Sequence, residues 1–148
     1  MTLQPVDLQY EQRVRDSFSR QQVMCLIGAE LVDLQPGRCE INLSYRPDLT
    51  QQNGFFHAGI TSTIADSAGG YAAYTLMPVD SDVLTVEYKM NLVAPADGDV
   101  LIAKGEVIRP GKTLMVARVD VTAIKDSQTS LCATLLQTLI CRRHEKQE

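Results

Sequence analysis

Along the chain, segments whose apolar residues recur at helical spacing give way to segments in which they recur at every second position. Near the amino terminus Tyr10, Val14 and Phe18 fall at i, i+4 and i+8 among charged residues. That spacing predicts a surface helix with one apolar stripe, for which Asp7 is the candidate N-cap. Such a helix is expected to lie across the edge of something larger. The runs LIGAELVDLQ and RCEINLSYR flank the turn dipeptide Pro36-Gly37 and predict a hairpin over Leu26 to Arg46, ended by Pro47. Residues 48–56 are polar, carry Asn53-Gly54 and predict a loop. From His57 the spacing of Ile60, Ile64, Ala68 and Tyr71 is helical again, up to Pro78. Gly69, Gly70 and several threonines weaken this helix by roughly 1 kcal/mol per glycine relative to alanine, so tertiary packing must hold it. Its small side chains allow other backbones to come close, as around a helix wrapped by a curved sheet.

Beyond Pro78 the period changes to two. Leu84, Val86, Tyr88, Met90 and Leu92 alternate with Thr85, Glu87, Lys89 and Asn91, which predicts a half-buried strand. Three more strands are expected over Val100–Ile108, Leu114–Ile124 and Ser130–Cys141, the second with Met115, Ala117, Val119, Val121 and Ala123 on one face. Turns at Arg109-Pro110-Gly111-Lys112 and Lys125-Asp126-Ser127-Gln128 join them. The order is one helix, two strands, a central helix and four strands. Short connections among the last four make the sheet mainly antiparallel, with one long helix on its apolar face, an α+β fold. The 148 residues suit one domain over 1–148, with a charged tail at 142–148 expected to fray and no internal repeat.

Composition narrows the function classes. With 45% hydrophobic and 22% charged residues the chain can bury a core, which excludes disorder. A net charge of −4 gives no general attraction to phosphate backbones, so a nucleic-acid coat is not expected. The opening MTLQPVDLQYEQRVR has neither a basic nor an apolar leader region, and cytoplasmic residence is expected. The stretch from Ile60 to Met77 contains Asp66, Ser67, two glycines and three threonines and fails as a membrane span. Cys25, Cys39, Cys132 and Cys141 lack metal-ligand spacing and are expected to be reduced packing residues.

The central helix carries the candidate chemistry. Between Asp48 and Asp80, Asp66 is the only side chain with a formal charge. It lies mid-helix, where burial is expected. A carboxylate there needs either a catalytic task or hydrogen bonds from Ser62, Ser67 or the backbone. His57 opens the helix, followed by Ala58 and Gly59, whose N–H groups lack intrahelical acceptors and can polarise a carbonyl or hold an oxyanion. The plainer alternative is that His57 only caps the helix. Eight residues separate Ala58 from Asp66, about 12 Å along a helix, whereas a nucleophile and an oxyanion donor must both lie about 3 Å from one carbon. Joint action therefore requires Asp66 of one subunit and Ala58 of another, a dimer with its sites at the interface. No GxSxG surrounds a serine, no cysteine stands in a nucleophile motif, and two distant histidines build no metal site with Asp66. Arg109, Pro110, Gly111, Lys112 and Thr113 place two cations and a glycine turn together, a segment that can hold a phosphate or simply be solvated.

These residues resemble the hotdog-fold acyl-CoA thioesterases of the phenylacetate-degradation type, whose signature is an Asn-containing loop, His-Gly-Gly and a helical Asp further on. Here it reads His57-Ala58-Gly59 and then Ile64-Ala65-Asp66, nine residues after the histidine. The likeness runs from about Phe18 to Leu139, through VLTVEYKMNLVAPA, Gly98-Asp99 and RPGKT. The resemblance implies a strongly curved antiparallel sheet around the central helix, and homodimers that often associate further into tetramers. It implies hydrolysis of an acyl-CoA thioester to free acid and coenzyme A, with no metal or cofactor because coenzyme A is part of the substrate. By the same resemblance Asp66 attacks the thioester carbonyl or activates water, the Ala58 N–H polarises that carbonyl, and His57 orients the loop or assists the departing thiolate. Gln51 falls where the family has an Asn near the attacking group, and Thr85 matches a Ser/Thr that helps position the water. Arg109, Pro110, Gly111, Lys112 and Thr113 match the segment that contacts the nucleotide part of coenzyme A. Two positions depart from the pattern: Ala58 replaces the first glycine, and Gln51 replaces the asparagine. Phe55, Phe56, Tyr71 and Tyr74 are expected either to line an acyl pocket or to join the core. Two other functions fit the same residues less fully. One is a non-catalytic acyl-CoA binding or regulatory module, whose binding would survive loss of Asp66. The other is a dehydratase of this fold, whose His-Phe-Pro-Gly loop is absent.

Overall fold

The computed structural model describes residues 2–145. Helices α1 (Tyr10–Arg20) and α2 (Gln22–Ile27) precede strands β1 (Ala29–Gln35) and β2 (Arg38–Ser44). A short 3-10 turn at Pro47–Leu49 leads to the long helix α3 (Ala58–Tyr74). Strands β3 (Ser81–Leu92), β4 (Val100–Arg109), β5 (Leu114–Lys125) and β6 (Gln128–Arg143) complete the chain. The six strands form one sheet in the order β1-β2-β4-β5-β6-β3, with every neighbouring pair antiparallel. Helix α3 contacts all six strands, the arrangement of one helix held in a sheet that the resemblance implies.

Small side chains make that arrangement possible. Ala65, Ala68, Ala72 and Ala73 of α3 are fully buried beside Ile41, Leu43, Leu101, Ala103, Val119 and Val121 of the sheet. Where β4 crosses the helix, a Cβ on Gly105 would stand 2.5 Å from the Ala68 carbonyl oxygen, so glycine is required for the two backbones to meet. The β5 face expected to be buried is buried, from Met115 to Ala123. The β5–β6 turn is the expected one, with Asp126 and Ser127 both at positive φ (52° and 62°) as a type I′ hairpin demands.

Four details differ from the sequence reading. The first hairpin begins three residues late, because Leu26 and Ile27 belong to α2, which Gly28 ends at φ 76°. Asp7 does not cap α1 as its N-cap. It sits two residues ahead of Gln9, accepts the Gln9 N–H at 2.9 Å and pairs with Arg13 at 2.8 Å. Arg13 in turn donates to the Tyr74 and Met77 carbonyls at 3.3 and 2.8 Å and lies 4.2 Å over the Tyr74 ring, so α1 closes the carboxyl end of α3. The tail expected to fray from Arg142 onward is partly paired instead. Arg142 and Arg143 continue β6 and meet Asp82 and Asp80 at 3.3 and 3.0 Å, while 146–148 lie outside the described residues.

The fourth difference concerns β3, expected to be half-buried. It is an edge strand, and a bulge between Thr85 and Glu87 switches its phase. Leu84 therefore pairs with Ile140 on the outer face, while Tyr88, Met90 and Leu92 pair with Gln137, Leu135 and Ala133 on the helix-facing side. Leu84, Val86, Tyr88 and Leu92 remain 46–56% exposed. A strand of 12 residues with one edge unpaired and this much apolar surface is a template for a further strand.

Candidate active site

The start of α3 is built by His57. Its backbone is extended (φ −63°, ψ 140°), and its Nδ1 accepts the Gly59 N–H at 2.8 Å. The capping role is thus present, and it fixes the tautomer: in the neutral ring the proton sits on Nε2. Thr61 N–H is taken by the His57 carbonyl at 3.0 Å. The Ala58 N–H has no acceptor among the described residues and stands at the positive end of the helix. A cleft of about 410 Å³ opens beside it, lined by Gln51, Phe55, Phe56, Ala58, Thr61 and the stretch from Leu92 to Ala96. Gln51 belongs to this group, with its Oε1 accepting the Asn53 N–H.

Two turns further along, Asp66 is half-buried rather than enclosed. Neither Ser62 nor Ser67 holds it. Ser62 donates to the Gly59 carbonyl, and Ser67 donates to Gln21 Oε1 at 2.9 Å. Its partners come from the sheet: the Thr85 hydroxyl donates to Asp66 Oδ1 at 2.7 Å, and Gln137 Nε2 donates to the same oxygen. Gln137 Nε2 also lies 3.0 Å from Thr85 Oγ1 and 3.2 Å from the Asp66 carbonyl. Oδ2 has no partner among the described residues. A cleft of about 360 Å³ adjoins the carboxylate, between Ser17, Gln21, Tyr71, Val83 and Leu84. Tyr71 OH lies within 3.3–3.4 Å of Ser17 Oγ and Gln21 Nε2. Burial pushes its phenol pKa up, so it stays a neutral hydrogen-bonding group.

The expected residues thus fall into three groups on one chain. Gln51 and Ala58 line the first cleft, with His57 capping the helix next to Ala58, while Asp66 and Thr85 share the second. Pro110, Gly111 and Lys112 border a third recess beside Leu76 and Pro78, beyond the carboxyl end of α3. Arg109, Lys112 and Thr113 are exposed, and neither cation pairs with a carboxylate among the described residues. The aromatic residues divide too. Phe55 and Phe56 line the Ala58 cleft, Tyr71 borders Asp66, and Tyr74 is buried with its hydroxyl donating to the Ser81 carbonyl. Asp66 and Ala58 stand eight residues apart on one rigid helix, so no single carbon touches both within one chain.

Gln137 was absent from the sequence reading. The signal was available: in β6 it occupies the apolar phase shared by Ala133, Leu135 and Leu139, where a polar residue needs a reason. Among the described residues no group of three or more His, Cys, Asp and Glu is placed to hold a metal ion, and no helix is long and apolar enough to cross a membrane. Cys39, Cys132 and Cys141 are buried, Cys25 is exposed, and all are unpaired. Burial pushes the Cys39 thiol up to about 12 and Cys132 in the same direction, as inert packing residues require.

Comparison with known proteins gives this geometry a context. The profile of the thioesterase superfamily matches residues 53–130, which include the α3 start, Asp66 and Thr85. A thioesterase family protein of Silicibacter pomeroyi, of known structure, is 47% identical, covering 91% of this chain and 99% of its own with a TM-score of 0.90. A Saccharolobus solfataricus protein named as an esterase is 31% identical over 135 residues, 91% of this chain and 87% of that protein. A 1,4-dihydroxy-2-naphthoyl-CoA hydrolase of Listeria monocytogenes is 26% identical over 106 residues, 72% of this chain and 85% of that enzyme. Six antiparallel strands around one long helix, together with these relatives, settle the family: the chain belongs to the thioesterase superfamily and is a hydrolase of the hotdog fold.

Proposed function

We propose that the protein hydrolyses an acyl-CoA thioester in the cytoplasm, with Asp66 as the reacting carboxylate and the Ala58 N–H as the donor to the thioester carbonyl. The observation that carries this reading is the pair of half-sites on α3: a carboxylate with one oxygen held and one open, and a helix-end N–H, neither the open oxygen nor the N–H having a partner among the described residues. Acyl-CoA as the substrate is supported by the relative named as a naphthoyl-CoA hydrolase. Four unpaired cysteines fit a reducing compartment.

In this reading Asp66 takes a proton from water while the water oxygen attacks the carbonyl carbon. The oxyanion that forms is held by the Ala58 N–H. Collapse breaks the carbon–sulfur bond, and the proton passes to the departing sulfur, leaving free acid, coenzyme A and the carboxylate restored. The alternative route, direct attack by Asp66 followed by hydrolysis of the acyl-enzyme, uses the same groups. His57 holds the loop that presents Ala58. Thr85 already spends its proton on Asp66, so it meets a water only as an acceptor. Gln51 presents its amide beside Ala58, and Arg109, Pro110, Gly111, Lys112 and Thr113 hold the coenzyme A phosphates. No metal or separate cofactor enters the reaction.

A second copy completes the site. The exposed apolar edge of β3 supports pairing with the β3 of another chain, and the spacing of about 12 Å along α3 calls for Ala58 of one subunit to face Asp66 of the other. The test is free-thiol release from short, medium, long and aryl acyl-CoAs by wild type and Asp66→Asn. Turnover at least about 10²-fold lower in the variant, with coenzyme A affinity kept, is expected. Binding of the esters with no hydrolysis by wild type would mark a binding module instead.

A further inference from the structure

We propose that Gln137 is a positioning residue for Asp66, one that commits Oδ1 to the protein and leaves Oδ2 as the oxygen that reacts. The proposal rests on the reading of Asp66 as the reacting carboxylate. Gln137 is 1% exposed, on the helix-facing side of β6 among Ala133, Leu135 and Leu139. Burying an amide there is unfavourable unless its polar atoms are bonded. The side-chain NH2 has two hydrogens, and three acceptors surround it: Asp66 Oδ1, the Asp66 carbonyl and Thr85 Oγ1. Thr85 Oγ1 accepts from Gln137 and gives its own proton to Asp66 Oδ1, since a carboxylate oxygen can only accept. That oxygen therefore receives two donors. A turn of the carboxylate that exchanged Oδ1 and Oδ2 would have to break both bonds on the way, so the orientation is held.

The other half of the amide shows what Gln137 is for. Its Oε1 is buried and bonded to nothing among the described residues. An apolar side chain of similar length would avoid that loss, so the fold itself gains little from glutamine. Flipping the amide would turn Oε1 toward the carboxylate, acceptor against acceptor, so the charge on Asp66 fixes which end faces it. Gly69 on α3 provides the space: a Cβ there would fall 2.0 Å from Oε1. One of the two glycines that weaken the helix is thus the one that admits the amide.

The experiment uses wild type, Gln137→Met, Gly69→Ala, Asp66→Asn and the Gln137→Met/Asp66→Asn double variant, with hexanoyl-CoA and benzoyl-CoA as probes. Thiol release and thermal unfolding are read on each protein. Gln137→Met is expected to lower kcat about 10- to 10²-fold with KM nearly unchanged, the scale of misplacing a reacting group. Its unfolding midpoint should stay at or above that of wild type, because the orphan carbonyl is gone. Gly69→Ala keeps the amide but displaces it, and should lower kcat in the same direction. The double variant should be no slower than Asp66→Asn. Full kcat in Gln137→Met beside an inactive Asp66→Asn would overturn the positioning role and leave Asp66 standing. An active Asp66→Asn would overturn both. A Gln137→Met loss that multiplies onto Asp66→Asn, or that follows a lowered unfolding midpoint, would also overturn it, since the amide would then act elsewhere or serve only the fold.

Discussion

Ala58→Pro separates folding from catalysis at the start of α3. Ala58 is the first helical residue, and His57 before it has φ −63° and ψ 140°, the extended backbone that a following proline requires. Proline is favoured at this position, since the hydrogen it removes has no intrahelical acceptor. The substitution therefore deletes the one N–H that is assigned to the thioester oxygen. Gly59 cannot replace it while its own N–H is bonded to His57 Nδ1. Reduced freedom of the unfolded chain should make the variant about 0.4–1 kcal/mol more stable. Losing an oxyanion donor should cost about 2.7–4 kcal/mol in the transition state, or roughly 10²–10³ in kcat. The two effects have opposite signs, so a badly folded protein cannot imitate the result. Ala58→Gly is the control, because it restores the His-Gly-Gly pattern and keeps the donor. It should lower stability by about 0.5–1 kcal/mol and leave kcat at or above the wild-type value. Thermal unfolding and thiol release on the three proteins decide the matter. A proline variant that is fully folded and turns over like wild type would refute the role of Ala58, and equal losses in the glycine and proline variants would refute the role of its N–H.

Two further predictions address other parts of the molecule. If the β4–β5 turn holds phosphate, Arg109→Ala with Lys112→Ala should raise KM for acyl-CoA several-fold and flatten its salt dependence, with kcat kept; an unchanged KM in steady-state kinetics would exclude the turn from binding. Arg13→Leu removes the Asp7 pair and the contacts to the Tyr74 and Met77 carbonyls, and should lower unfolding free energy by roughly 1.5–3 kcal/mol near pH 7. The Arg13 guanidinium, helped by the Gln9 N–H, holds the Asp7 carboxyl below its ordinary range. That share of the stability is present above the unfolded value of about 3.9 and is lost as pH falls through the folded one, so the gap between wild type and variant should narrow in acid. Denaturant titrations at pH 7 and pH 3 check this.

Most of the architecture is legible from period alone. The switch from helical spacing in 57–77 to alternation beyond 84 places α3 and the later strands, and the inner face of β5 follows directly from Met115 to Ala123. What period misses are interruptions of it. The bulge at Thr85 reverses the faces of β3 in mid-strand, which is why Leu84 and Tyr88 share an alternation in the sequence and opposite faces in the sheet. Gly28 at positive φ turns what reads as the head of a strand into the end of α2. Asp66 and Ala58 were visible because a lone charge and a helix start stand out within one segment. Gln137 was not, because it acts across 71 positions and its neighbours in sequence say only that a strand passes there.

The shared site can be tested directly by co-expressing Asp66→Asn and Ala58→Pro chains carrying different tags. Each variant alone lacks one half of every site, whereas a mixed dimer has one site with both halves intact. Random pairing makes about half the dimers mixed, each with one of its two sites whole, so thiol release should recover to about one quarter of the wild-type rate. Purified mixed dimers that remain as inactive as either parent would contradict a site formed by Asp66 of one chain and Ala58 of another.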